Sequence, residues 1–129
     1  MIAEKYIKRF QKLIKFLERL PPSKFNFTSY FYEVDENECG TVCCAVGWLP
    51  KVFPRAKVFK HDVFNLRTDV SETALKWFGL NRTFYRMLFV PGIAQPWNNF
   101  NMDRMLNGSA SPHQVANEIN KYIQWAQTQ

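Results

Sequence analysis

The chain has 129 residues, 47% of them hydrophobic and 16% aromatic, with only five glycines; that length suits one domain with its own core, and that composition excludes a disordered chain. A formal net charge of +6 suits an anionic partner. The three cysteines, all within residues 39–44, are too close together and too few to staple a secreted scaffold, so a reducing, cytoplasmic setting is expected.

The charge is unevenly placed. Residues 1–20 carry six Lys/Arg against two Glu, residues 51–67 carry five against one Asp, and Glu33, Asp35, Glu36 and Glu38 form an acidic knot between them. Ile2, Tyr6, Phe10, Leu13, Ile14, Leu17 and Leu20 recur at three- and four-residue spacing and predict one apolar helix face. Lys5, Lys8, Arg9, Lys12, Lys15 and Arg19 are expected to cover the other faces, and Pro21-Pro22 to end the helix. The frequent charges leave no apolar run of signal-peptide or membrane-span length. The simplest role for such a helix is to dock on its own core; an anionic membrane surface or a partner's groove are the alternatives.

"FNFTSYFYEV" (25–34) alternates and is rich in aromatics, which predicts a short strand, with "KVFKHDVFNL" (57–66) as its partner in a two-stranded ribbon. Between them Gly40-Thr41 reads as a turn feeding a helix over 42–49 that Pro50 stops. That helix is apolar or small on every side, so it predicts a central core helix in which the cysteines pack.

Three functional readings of the same segment compete with packing. Cys39 and Cys43 with His61 and His113 could supply four metal ligands, but no paired Cys-x-x-Cys is present and no metal is expected. A thiolate at a helix N-terminus is an activated nucleophile, which makes Cys39 the candidate for a hydrolase. "ECGTVCCA" resembles the nucleophile segment of the bacteriocin-processing cysteine peptidases over those residues only. That family uses a glutamine a few positions upstream where this chain has Glu33, and four acidic neighbours raise a thiol pKa, so no catalytic residue is assigned. The third reading is an anion site at the Thr41 helix N-terminus, which the acidic knot opposes.

Farther on, Ser71 is expected to cap a helix over "ETALKWFG" closed by Gly79, and Asn81 to cap "RTFYRMLFV", stopped by Pro91-Gly92. The pair predicts an αα-hairpin burying Leu75, Phe78, Phe84 and Leu88. Residues 91–110 read as a long irregular connection with room for one short turn of helix. Ser111, Pro112 and Gln114 form a capping-box start for a last helix whose buried stripe is Val115, Ile119, Tyr122, Ile123 and Ala126. The whole predicts a single, mainly α domain of about five helices, with the two-stranded ribbon as its one β feature.

"LERLPPSKFNFTSY", "CGTVCCAVGW", "ALKWFGL" and "SPHQVANEI" together resemble a widespread group of uncharacterised bacterial and phage proteins. Those carry a Leu-Pro-x-x-x-Phe start, a Cys-Gly-Thr-x-x-Cys-x-x-Gly segment, a Phe-Gly-Leu helix pair and a Ser/Thr-Pro-x-x-Val-Ala last helix. The resemblance implies the order of elements and a bacterial or phage origin, hence a bacterial cytoplasm or phage-infected host. It implies no catalytic residue.

The expected function is non-catalytic binding of an anionic ligand, a nucleotide-type signal or nucleic acid, by a protein that a phage would use in counter-defence. The candidate contacts are Lys57, Lys60, His61 and Arg67, then Arg82 and Arg86 one turn apart, and Trp97 and Phe100 on the long loop. Guanidinium groups fork onto phosphate while an exposed aromatic stacks on a base. Two alternatives remain: a protein-interaction module that inhibits a host complex through the basic first helix or the Asn-rich loop, and the Cys39 hydrolase. No cofactor is expected.

Overall fold

The computed structural model describes residues 2–25, 45–59 and 70–129. Five α-helices carry this part of the chain: α1 (Glu4–Arg19), α2 (Leu49–Val52), α3 (Val70–Trp77), α4 (Arg82–Phe89) and α5 (Pro112–Ala126). The fold is mainly helical, and no strand occurs among the described residues.

The apolar stripe of α1 buries Ile7, Phe10, Leu13, Ile14 and Leu17, and its chief partner is α5. Leu20 leaves the helix with extended backbone (φ −79°, ψ 126°), as the residue before a proline must. Phe10 is the junction of the core. Its ring stacks on Phe78 (4.5 Å between centroids, 16° between planes) and meets Tyr122 edge-on at 5.7 Å, so one fully buried side chain joins α1, the end of α3 and α5.

The αα-hairpin of α3 and α4 forms as the punctuation predicts. Leu80 N–H bonds to the Leu75 carbonyl at 2.8 Å and Gly79 N–H to that of Lys76 at 3.2 Å, a Schellman ending that needs Gly79 at φ +66°. Asn81 Oδ1 accepts from the Phe84 N–H at 2.9 Å and starts α4. Helix α3 begins at Val70, one residue before the expected cap at Ser71. The capping box of α5 is complete: Ser111 Oγ accepts from Gln114 N–H at 3.1 Å and Gln114 Oε1 from Ser111 N–H at 2.7 Å, with Pro112 at the first helical position.

Two further expectations are corrected. Residues 45–48 form a turn, and Pro50 is the second residue of α2, so it starts a helix where one was expected to stop. The reason is physical: the first N–H groups of a helix have no partner within it, so a missing donor there costs nothing. Lys57–Phe59, the start of the second proposed strand, is a 3-10 turn. Residues 26–34 of the first strand, residues 60–66 of the second, and Cys39, Cys43 and Cys44 lie outside the described residues. Ala45, Val46, Trp48 and Leu49, which follow the cysteines, are buried, and Trp48 Nε1 donates to the Lys24 carbonyl at 3.0 Å, tying this turn to the 3-10 turn Pro22–Lys24 that follows α1.

Candidate functional site

The six cations of α1 do not spread over its remaining faces. At 3.6 residues per turn Lys5, Lys8, Arg9, Lys12, Lys15 and Arg19 fall within about a third of the helix circumference, opposite the buried stripe. Glu4 and Glu18 lie together along one edge of that stripe, and among the described residues neither pairs with one of these cations.

Three of the cations lie over aromatic rings. Arg9 sits 3.6 Å from the centroid of the Trp77 ring and donates to the Trp77 carbonyl at 2.7 Å, Lys12 lies 5.4 Å from the Phe53 centroid, and Lys5 5.0 Å from that of Tyr6. The ring faces carry partial negative charge, so they hold the cations in place without neutralising them. Phe53 and Trp77 are fixed in turn by edge contact with each other at 5.2 Å and by Phe59, against which each also packs.

Helix α2 and the turn after it form the opposite wall. Two adjoining grooves, of about 430 and 530 Å³, run between this wall and α1, and Lys12 lines both. Lys15, Phe16, Arg19 and Lys51 line the first, and Phe53, Arg55 and Trp77 the second. Lys12, Lys15, Arg19, Lys51 and Arg55 are all exposed, and among the described residues none has a carboxylate partner. Like charges lining one groove attract an anionic partner.

The contacts proposed from sequence fall in different places. Lys57 is exposed in the 3-10 turn two residues beyond Arg55; Lys60, His61 and Arg67 lie outside the described residues. Arg82 and Arg86 are exposed on α4, but Arg82 pairs with Glu72 across the hairpin at 2.5 Å. Trp97 is not presented for stacking: its ring packs on Tyr122 and Trp125 at 5.4 and 5.9 Å, and its Nε1 donates to Glu118 at 3.2 Å. Phe100 is 60% exposed.

The loop that carries Phe100 is braced from below. Glu118 is buried on α5, where one oxygen accepts from Asn98 Nδ2 at 2.6 Å and from Trp97, and the other meets Lys121 Nζ at 3.1 Å. Asn98 also donates to the fully buried Gln95, whose amide donates to the Met87 carbonyl at 3.1 Å. Buried polar groups are tolerated when every one has a partner, as here. Above this network Asn99 and Phe100 both take left-handed backbone (φ 54° and 55°), and Met102 beyond them is 58% exposed.

Sequence reasoning missed Lys12, Lys15, Arg19, Lys51 and Arg55 as one site. The three-, four- and seven-residue spacing of the α1 cations was available; the placement of residues 51–55 beside them depends on tertiary packing. No group of three or more His, Cys, Asp or Glu side chains converges among the described residues, and no described helix is long and apolar enough to cross a membrane. No protein-family model, curated protein or solved structure matches this chain.

Proposed function

We propose that the protein binds a phosphate-bearing anion of the nucleotide or nucleic-acid class and holds it without turnover. The observation that supports this is the pair of grooves meeting at Lys12, where cations from α1 and from residues 51–55 face one another with no carboxylate partner among the described residues. Phosphate oxygens supply the charge and the hydrogen-bond acceptors that lysine and arginine need there. Sequestration of a nucleotide signal, or coating of nucleic acid, by a phage counter-defence protein is the setting this reading fits.

A thermal-shift screen against nucleotides, cyclic dinucleotides and short DNA and RNA, at low and high salt, tests it. A ligand at 100 times its dissociation constant adds about 2.7 kcal/mol to stability, which is readily measured in a domain of this size. A salt-sensitive shift is expected, reduced in Lys12→Glu and Lys51→Glu. No shift with any anion would refute the reading.

A second reading has its own observation. Phe100 and Met102 are exposed on a braced loop with left-handed backbone at Asn99 and Phe100, and strain of that kind collects at functional sites. This loop would suit the apolar pocket of a partner protein. Such an interface resists salt, whereas phosphate binding weakens steeply with it.

A further inference from the structure

Proteins that bind single strands without sequence preference offer open aromatic faces on which successive bases stack. The groove has aromatic rings, but they are engaged. Arg9 covers one face of Trp77, and Phe53 and Phe59 each pack steeply inclined against its ring at 5.2 Å. Phe53 is buried under Lys12 and packed on Trp77, Phe59 and Phe78. Phe16 leans on Trp48 at 5.3 Å. Phe100, whose ring is exposed, does not line either groove. Among the described residues the site therefore presents charge and no stacking platform.

The charge is extended along a line. Lys5 to Arg19 spans roughly 21 Å at 1.5 Å per residue, and the two grooves run beside the second half of that line, from Lys12 to Arg19. A mononucleotide is held by convergent groups in an enclosed pocket, which these open grooves are not. Over the same distance a nucleic-acid duplex carries about twelve phosphate charges, because both strands contribute.

We infer that the ligand is the phosphate backbone of duplex nucleic acid, bound without base contacts by the α1 cations together with Lys51 and Arg55. The inference rests on the phosphate-binding reading and narrows it. Duplex binding by this surface is insensitive to sequence, and each cation acts through counterion release.

Fluorescence anisotropy of the full chain with a labelled duplex of about 20 base pairs, its separate single strands and a labelled nucleotide tests this directly. The duplex is expected to bind at least about tenfold more tightly than either strand, with scrambled sequences equivalent. Lys15→Ala, Lys51→Ala and Arg55→Ala, all at exposed positions that leave the core intact, are each expected to lower the slope of log K against log salt by about one, and Arg86→Ala to leave it unchanged. Single strands or nucleotide binding as tightly as duplex, or strong preference for one duplex sequence, would overturn the duplex inference and leave phosphate binding standing. Absence of binding to all three at low salt would overturn both.

Discussion

Arg9 of α1 makes two contacts with one residue: its guanidinium lies over the Trp77 ring at 3.6 Å and its Nη1 donates to the Trp77 carbonyl at 2.7 Å. Trp77 ends α3, so its carbonyl is one of those a helix leaves without an internal partner, and a cation there also meets the negative end of the helix dipole. The contact thus joins α1 to α3 and sets one charge of the basic stripe in place.

Arg9→Ala should lower stability by about 1–2 kcal/mol, from the ring contact and a charge-assisted hydrogen bond together. Arg9→Lys should restore only part of that, because an ammonium lacks the planar fork that stacks and donates at once. Urea unfolding of the two variants measures both effects; a lysine variant equal to wild type would show that charge alone matters.

Gly79 meets two constraints at once. Its φ of +66° suits glycine, and a Cβ there would overlap the Tyr6 ring, at 2.6 Å from Cδ2 and 2.7 Å from Cζ. Gly79→Ala should cost about 1–2 kcal/mol for backbone alone, and more for the overlap. In a Tyr6→Ala background the overlap is gone, so the cost of the same substitution should fall to the backbone part, which a double-mutant cycle reads.

Glu118→Ala removes the acceptor shared by Trp97 and Asn98 and the ion-pair partner of Lys121. Leaving buried donors unpaired should cost roughly 2–4 kcal/mol, and the loop above should loosen. Denaturant unfolding gives the first effect. Easier proteolysis within residues 95–106 in the native state gives the second, and an unchanged cleavage pattern would mean the network does not brace the loop.

Burial raises the Tyr122 phenol above its ordinary value of 10.0. The folded protein therefore keeps this proton where the unfolded chain has lost it, so stability is fully present below about pH 10 and declines as pH rises through the interval above it. Tyr122→Phe should flatten that alkaline decline and leave the neutral range nearly unchanged. Thermal unfolding across this pH interval decides the matter.

Helices α1, α4 and α5 were legible because local signals agree there: apolar spacing for α1, the Asn81 cap for α4, and the Ser111–Gln114 box for α5. Pro50 was misread because proline marks a helix start as readily as a stop, and only the hydrogen bonds of its neighbours decide which. The functional surface was less legible. Trp97 reads as exposed in an Asn-rich loop until Glu118, far along the chain, accepts its N–H. Glu118 itself carried a usable signal: it falls three residues after Val115 and four before Tyr122, inside the buried stripe. Lys51 and Arg55 carried none, since their place opposite Lys12 exists only once α2 has packed on α1.

The most direct test of the account is an amide NMR titration of the protein with a short DNA duplex at low salt, repeated at high salt. Shifts concentrated along residues 5–19 and 51–55, and erased by salt, are the predicted result. Salt-resistant shifts centred on residues 99–104, or none at all, would contradict the claim that this groove is where the protein meets its ligand.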